Sequence, residues 1–104
     1  MEQSNIDLND MKIFVKIVDF GGFSRAAEAL ALPKSSLSRA LTRLEEQVGS
    51  ALLLRTTRQI SLTAVGLKLY DAARLPLIQL ESVQSVIDEE LNAERGRVRL
   101  TAPL

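Results

Sequence analysis

Apolar residues recur along most of this chain at helical spacing. From Leu8 to Gly21, the residues Leu8, Met11, Phe14, Val15 and Val18 share one stripe, which predicts an amphipathic helix. Asp7 or Asn9 can cap its start, and Gly21-Gly22 can end it. Ser24 then offers a hydroxyl cap to a short helix over "RAAEALA", and Leu32-Pro33 makes a turn. The next helix is predicted from Lys34 to Gln47, stopped by Gly49. Leu37, Ala40, Leu41, Leu44 and Val48 occupy one sector of it; Ser35, Ser38, Arg39 and Thr42 occupy the opposite one, with Arg43 at the margin.

After Gly49 the period changes. "ALLLRTTRQISLT" reads as two short β-rich runs about a polar "TTRQ" tip, a β-hairpin. From Ala64 to about Leu91 the helical period returns, over roughly 28 residues or about 42 Å. Tyr70, Ala73, Leu77, Leu80, Gln84, Ile87 and Leu91 step by three and four, a heptad seam with one polar member. A helix of that length exceeds what a small domain can cover, so a partner helix is the simplest supplier of the missing contact. Pro76 predicts a bend near residues 72–76. "GRVRLTAPL" alternates Val98 and Leu100 with Arg97, Arg99 and Thr101, as a first strand would, and the chain reads as part of a longer one.

Composition adds mainly exclusions. There is no Cys, so disulfide and thiolate chemistry are out of reach and the cytoplasm is the default compartment. There is no His either, and no EF-hand, P-loop or G-x-G-x-x-G spacing; no metal or cofactor is expected. Lys34 beside Ser35 and Ser36 is the nearest thing to an activated hydroxyl, and a polar helix start explains it better, so catalysis is not expected. No apolar run is long enough for a membrane span.

Thirteen basic and thirteen acidic residues cancel. The distribution does not. Ser24 to Leu62 holds six basic residues and three acidic ones, a local excess of +3, and Lys34 to Arg43 holds three positive charges and no negative one. Short hydroxyls and arginines on the face of a helix whose other face is apolar suit the second helix of a helix-turn-helix. Such a helix enters the DNA major groove by its first turns. Ser, Thr and Arg reach base edges and phosphates without bulk, and Arg can pair bidentately with guanine. Lys34 and Arg43, flanking that face, suit phosphates better than bases. A basic hairpin carrying Arg55 and Arg58 matches a wing against the backbone or minor groove.

These residues resemble the N-terminal winged helix-turn-helix of LysR-type transcriptional regulators over positions 8 to 66. The carriers are Phe23-Ser24, Ala26-Ala27, Ser38, Leu44-Glu45, Gly49, Arg55, Arg58, Leu62-Thr63 and Gly66. The long helix and "RVRLTAP" resemble that family's linker helix and the start of its effector domain. Three positions depart from the usual pattern, and they bear on readout rather than on fold. Lys34 stands where a base-reading glutamine is common, Leu53 where Phe is usual, and Thr57 where the wing often has Gly.

The resemblance implies a mainly α fold: a winged helix-turn-helix over 1–63, a linker or dimerisation helix over 64–92, and the start of an effector domain over 93–104. The expected DNA contacts are Ser24, Arg25, Lys34, Ser35, Ser36, Ser38, Arg39, Thr42, Arg43, Arg55, Thr57 and Arg58, and the expected dimer seam is Tyr70 to Leu91 as given above. It also implies a homodimer on an inverted-repeat operator in double-stranded DNA, and a small-molecule effector sensed only by a longer chain. A winged-helix module that dimerises or binds protein without reading DNA is the alternative.

Overall fold

The computed structural model describes residues 6–56 and 59–101, with side chains through Arg95. Thr57 and Arg58, at the expected wing tip, lie outside the described residues. Helix α1 runs Leu8–Phe20. Asp7 caps it, its carboxylate accepting from the N–H of Asn9 at 2.7 Å and of Asp10 at 3.3 Å. Gly21 closes it with φ +78°, a left-handed conformation that suits glycine. The buried side of α1 is Met11, Phe14, Val15 and Ile17, with Asp10 among them. Leu8, expected on the apolar stripe, is 63% exposed, and Ile17 is fully buried in its stead. The buried arc is rotated toward Asp10 because that side meets the third helix, as the ion pair below demonstrates.

Helix α2 spans Phe23–Leu30 and buries Ala26 and Ala27, small enough for close helix approach. Its N-cap is Gly22, and no side chain caps it; Ser24 sits within the first turn rather than before it, correcting the expected cap. The turn that follows is a Schellman closure: Leu32 N–H reaches the Ala27 carbonyl at 3.0 Å and Ala31 N–H the Glu28 carbonyl at 3.2 Å. Ala31 takes the left-handed conformation there, with φ +57°.

Helix α3 spans Lys34–Val48 with Pro33 at its N-cap and Gly49, φ +86°, at its C-cap. Leu37, Ala40, Leu41 and Leu44 are fully buried, the sector expected, while Val48 is half-buried. Strands β1 (Leu53–Arg55) and β2 (Ile60–Leu62) pair antiparallel in the register Leu53↔Leu62, Leu54↔Ser61, Arg55↔Ile60. Below the tip, Thr56 N–H donates to the Gln59 carbonyl at 2.8 Å and Gln59 N–H to Thr56 Oγ1 at 3.0 Å. Phe14, Ile17, Leu37, Leu41, Leu44 and Leu52 are the large, fully buried side chains of the core among the described residues.

Helix α4 is continuous from Ala64 to Thr101, with Pro76 inside it. The strand expected from Arg97 is therefore helix through Thr101. Strand-like alternation needs a neighbouring strand to satisfy its N–H and C=O groups, whereas a helix satisfies them internally. The chain falls into two compact units, residues 1–74 and 75–104. The first holds the core and the hairpin; the second, among the described residues, is the remainder of α4.

Candidate nucleic-acid interface

The first turns of α3 present the polar face. Lys34, Ser35, Arg39 and Thr42 are exposed and Ser38 is half-exposed. Ser38, Arg39, Thr42 and Arg43 line a shallow hollow of about 280 Å³. Ser36 lies off this face, half-buried and nearer the core side of the helix. A larger groove of about 410 Å³ separates α2 from the hairpin. Ser24, Arg25, Lys34, Ser38 and Arg55 line it together with Phe23. Ser38 belongs to both hollows. Of the expected contacts, ten lie within the described residues, and nine of these (all but Ser36) line one of the two hollows or stand exposed between them.

Arg43 is not simply a marginal cation. Its guanidinium donates Nε–H to Asp10 Oδ2 at 3.0 Å and Nη2–H to Oδ1 at 2.9 Å, a bidentate pair linking α3 to α1. The Asp10 side chain is 3% exposed and that of Arg43 55%. The hydrogen bond to Asp10, then its charge, raise the Arg43 pKa further above an already high ordinary value. Part of Arg43 is thus committed to the fold, and only its remaining N–H donors face solvent.

Arg55 is also positioned by a neighbour. Its guanidinium carbon stands 4.5 Å from the centroid of the Phe23 ring. Neither Phe23 nor Asp10 is among the residues singled out by the sequence for the interface. The only signal for Asp10 was a charged residue seven positions before Ile17 on the same helical side. Glu45, at the far end of α3, ties the helix to the hairpin: its Oε2 accepts from the N–H groups of Leu52 at 2.7 Å and Leu53 at 3.3 Å, while Glu46 is exposed.

Along α4, Tyr70 is half-buried and its hydroxyl donates to Asp19 Oδ1, so this member of the expected seam is engaged with α1. That bond, then burial, then the Asp19 charge raise the Tyr70 pKa above its ordinary 10.0. Ala73 and Leu77 are half-buried; Leu80, Ile87 and Leu91 are about half exposed, and Gln84 Nε2 donates to Asp88 at 3.1 Å. Leu75, Ile78, Val83 and Val86 are exposed as well, so apolar residues occupy more of α4 than one seam. Among the described residues no acidic cluster is arranged to hold a metal ion, and no helix is long and apolar enough to cross a membrane.

Residues 8–67 match the family described as bacterial regulatory helix-turn-helix protein, lysR family. The chain belongs to that family. It is similar to an HTH-type transcriptional regulator of Xanthomonas campestris, with 41% identity over 97 residues, 93% of this chain and 28% of that protein. It is also similar to the regulator PtxR of Pseudomonas aeruginosa, with 40% identity over 100 residues, 96% of this chain and 32% of PtxR. This LysR-family chain thus spans a third or less of the length of these curated relatives. Among solved structures, full-length AphB, a virulence activator of Vibrio cholerae, superposes with a TM-score of 0.76 at 26% identity, covering 78% of this chain and 28% of AphB. The BenM DNA-binding domain in complex with catB site 1 DNA superposes with a TM-score of 0.71 at 30% identity, covering 80% of this chain and 92% of that one. The winged helix-turn-helix followed by a long helix is the architecture these LysR-type neighbours share with it.

Proposed function

We propose that this LysR-type DNA-binding domain reads an inverted-repeat operator as a homodimer. In this reading α3 lies in the major groove, with Ser35, Ser38, Arg39 and Thr42 toward base edges. Lys34, Arg25, Arg55 and the free side of Arg43 meet phosphates, and the hairpin serves as the wing. The exposed stretch of α4 from Leu77 to Leu91 pairs with its counterpart in a second copy. A small-molecule effector would act through a further domain of a longer chain, in the cytoplasm, and no catalysis is involved. The observation that carries the reading is the exposed hydroxyl-and-arginine face of α3, which forms one hollow and adjoins a second lined by Arg25, Lys34 and Arg55. The DNA bound to the BenM domain supports it by analogy.

The test is binding to a labelled duplex carrying an inverted repeat, its half-sites one helical turn or about 34 Å apart, beside a scrambled duplex at two salt concentrations. The expected result is tighter binding to the repeat that weakens steeply with salt. Arg39→Ala should cost about 1–3 kcal/mol of specific binding and relax selectivity at one base position. Equal, weak binding to both duplexes, and to a pool selected from random DNA, would favour a protein-binding module instead.

A further inference from the structure

The groove between α2 and the hairpin has a chemical character of its own. Arg25 and Lys34 reach it from two helices and Arg55 from the wing, with the hydroxyls of Ser24 and Ser38 between them, and no acidic residue lines it. Three cations around one opening repel one another unless an anion sits among them. Arg55 is exposed, on a three-residue strand next to the hairpin tip, where a long side chain would ordinarily sample many rotamers. The Phe23 ring limits that sampling. A guanidinium lying over an aromatic face keeps its N–H donors at the rim of the plane, free to meet an acceptor from the side.

We infer that this groove binds a phosphate of the DNA backbone and that Phe23 is the positioning residue that presents Arg55 to it. The inference rests on the regulator reading above and adds to it a residue that touches no DNA itself. Continuity with the reading face identifies the anion's source: Ser38 lines this groove and the hollow of Arg39 and Thr42 alike, so a strand passing the reading helix places its phosphates here. Phe23 acts by cutting the ordering cost of Arg55 on binding.

Because backbone contacts are independent of sequence, the experiment uses the scrambled duplex as well as the operator. Arg55→Ala should lower the slope of log K against log salt by about 1, the signature of one lost phosphate contact. Phe23→Leu should reduce the affinity and the slope in the same direction, and Phe23→Tyr, which keeps the ring, should restore both. Neutral methylphosphonate substitutions placed one at a time along the duplex should reveal a position in each half-site that weakens the parent chain. Neither Arg55→Ala nor Phe23→Leu should feel that substitution. An undiminished methylphosphonate effect and slope in folded Phe23→Leu would overturn the role of Phe23.

Should Phe23→Leu melt too low to assay, the parent chain decides by nuclear magnetic resonance. The Arg55 side-chain signals should carry a ring-current shift, and should move with duplex but not with duplex bearing methylphosphonate at that position. Movement with both duplexes overturns the assignment. Saturation by inorganic phosphate at concentrations where duplex has no effect would assign the groove to a free anion and overturn it too. A chain that binds no duplex at low salt overturns the regulator reading itself. One that binds with an unchanged Arg55→Ala slope overturns only the groove.

Discussion

Arg43 of α3 closes two hydrogen bonds, 3.0 and 2.9 Å long, on the nearly inaccessible carboxylate of Asp10 in α1. The pair joins α3 to α1, across a separation of 33 residues in the chain. A buried carboxylate that loses its partner keeps its desolvation cost with nothing to offset it. Arg43→Ala should therefore lower the melting temperature by several degrees, and Asp10→Asn should lower it less, since a neutral amide tolerates burial better. Replacing both by leucine should recover much of the loss. Differential scanning calorimetry of the three variants checks the order, and an Arg43→Ala chain as stable as its parent would refute it.

Gly66, in the first turn of α4, packs directly on the backbone of Leu52. A methyl group there would stand 2.1 Å from the carbonyl oxygen of Leu52 and 2.9 Å from its carbon. The same carbonyl accepts Thr63 N–H at 3.0 Å, so it is not free to swing aside. Gly66→Ala should cost about 1–3 kcal/mol, the range for forcing an extra carbon into a packed site. Urea unfolding with an unchanged slope and an earlier midpoint would register it.

Tyr70 is the sole tyrosine of the chain, so its ionisation can be followed optically without interference. The hydrogen bond to Asp19 requires the neutral phenol, and the folded-state pKa lies above 10.0. The stabilisation from this bond is complete below pH 10 and is lost as the pH climbs through the raised folded value. Phenolate absorbance should accordingly rise later in the folded chain than in urea. Tyr70→Phe should flatten the alkaline fall in stability, and identical alkaline profiles for the two proteins would show that Asp19 does not hold the proton.

On α4, Leu80 and Ile78 lie about 160° apart around the helix axis at 3.6 residues per turn. Leu80 belongs to the heptad seam, and Ile78 does not. In the homodimer proposed above, Leu80→Glu should shift sedimentation toward the monomer, while Ile78→Glu should sediment as the parent does. The reverse result would move the interface to the face of Leu75, Ile78 and Val86.

The elements of this fold were legible because their signals are local. The apolar sector of α3, the glycine stops at Gly21 and Gly49 and the change of period at the hairpin follow from neighbouring residues alone. The corrections share a different cause. Leu8 and Ile17 stand about 180° apart, at opposite edges of the α1 stripe, and only the position of α3 decides which edge is buried. Ser24 could cap α2 by type, but the turn after Gly21 starts the helix two residues too early for it. The alternation of Val98 and Leu100 meets no partner strand among the described residues. For the interface, the polar face of α3 could be read from spacing, whereas the holding of Arg43 by Asp10 and of Arg55 by Phe23 depends on residues 33 and 32 positions away. Periodicity carries no information over such separations.

Glu45 gives the hairpin a mechanical tie to α3. One carboxylate oxygen in the last turn of α3 grips two successive N–H groups where the chain enters β1. A displacement of the last turn of α3 is thereby carried directly to the first residue of β1, without passing along the intervening residues 49–51.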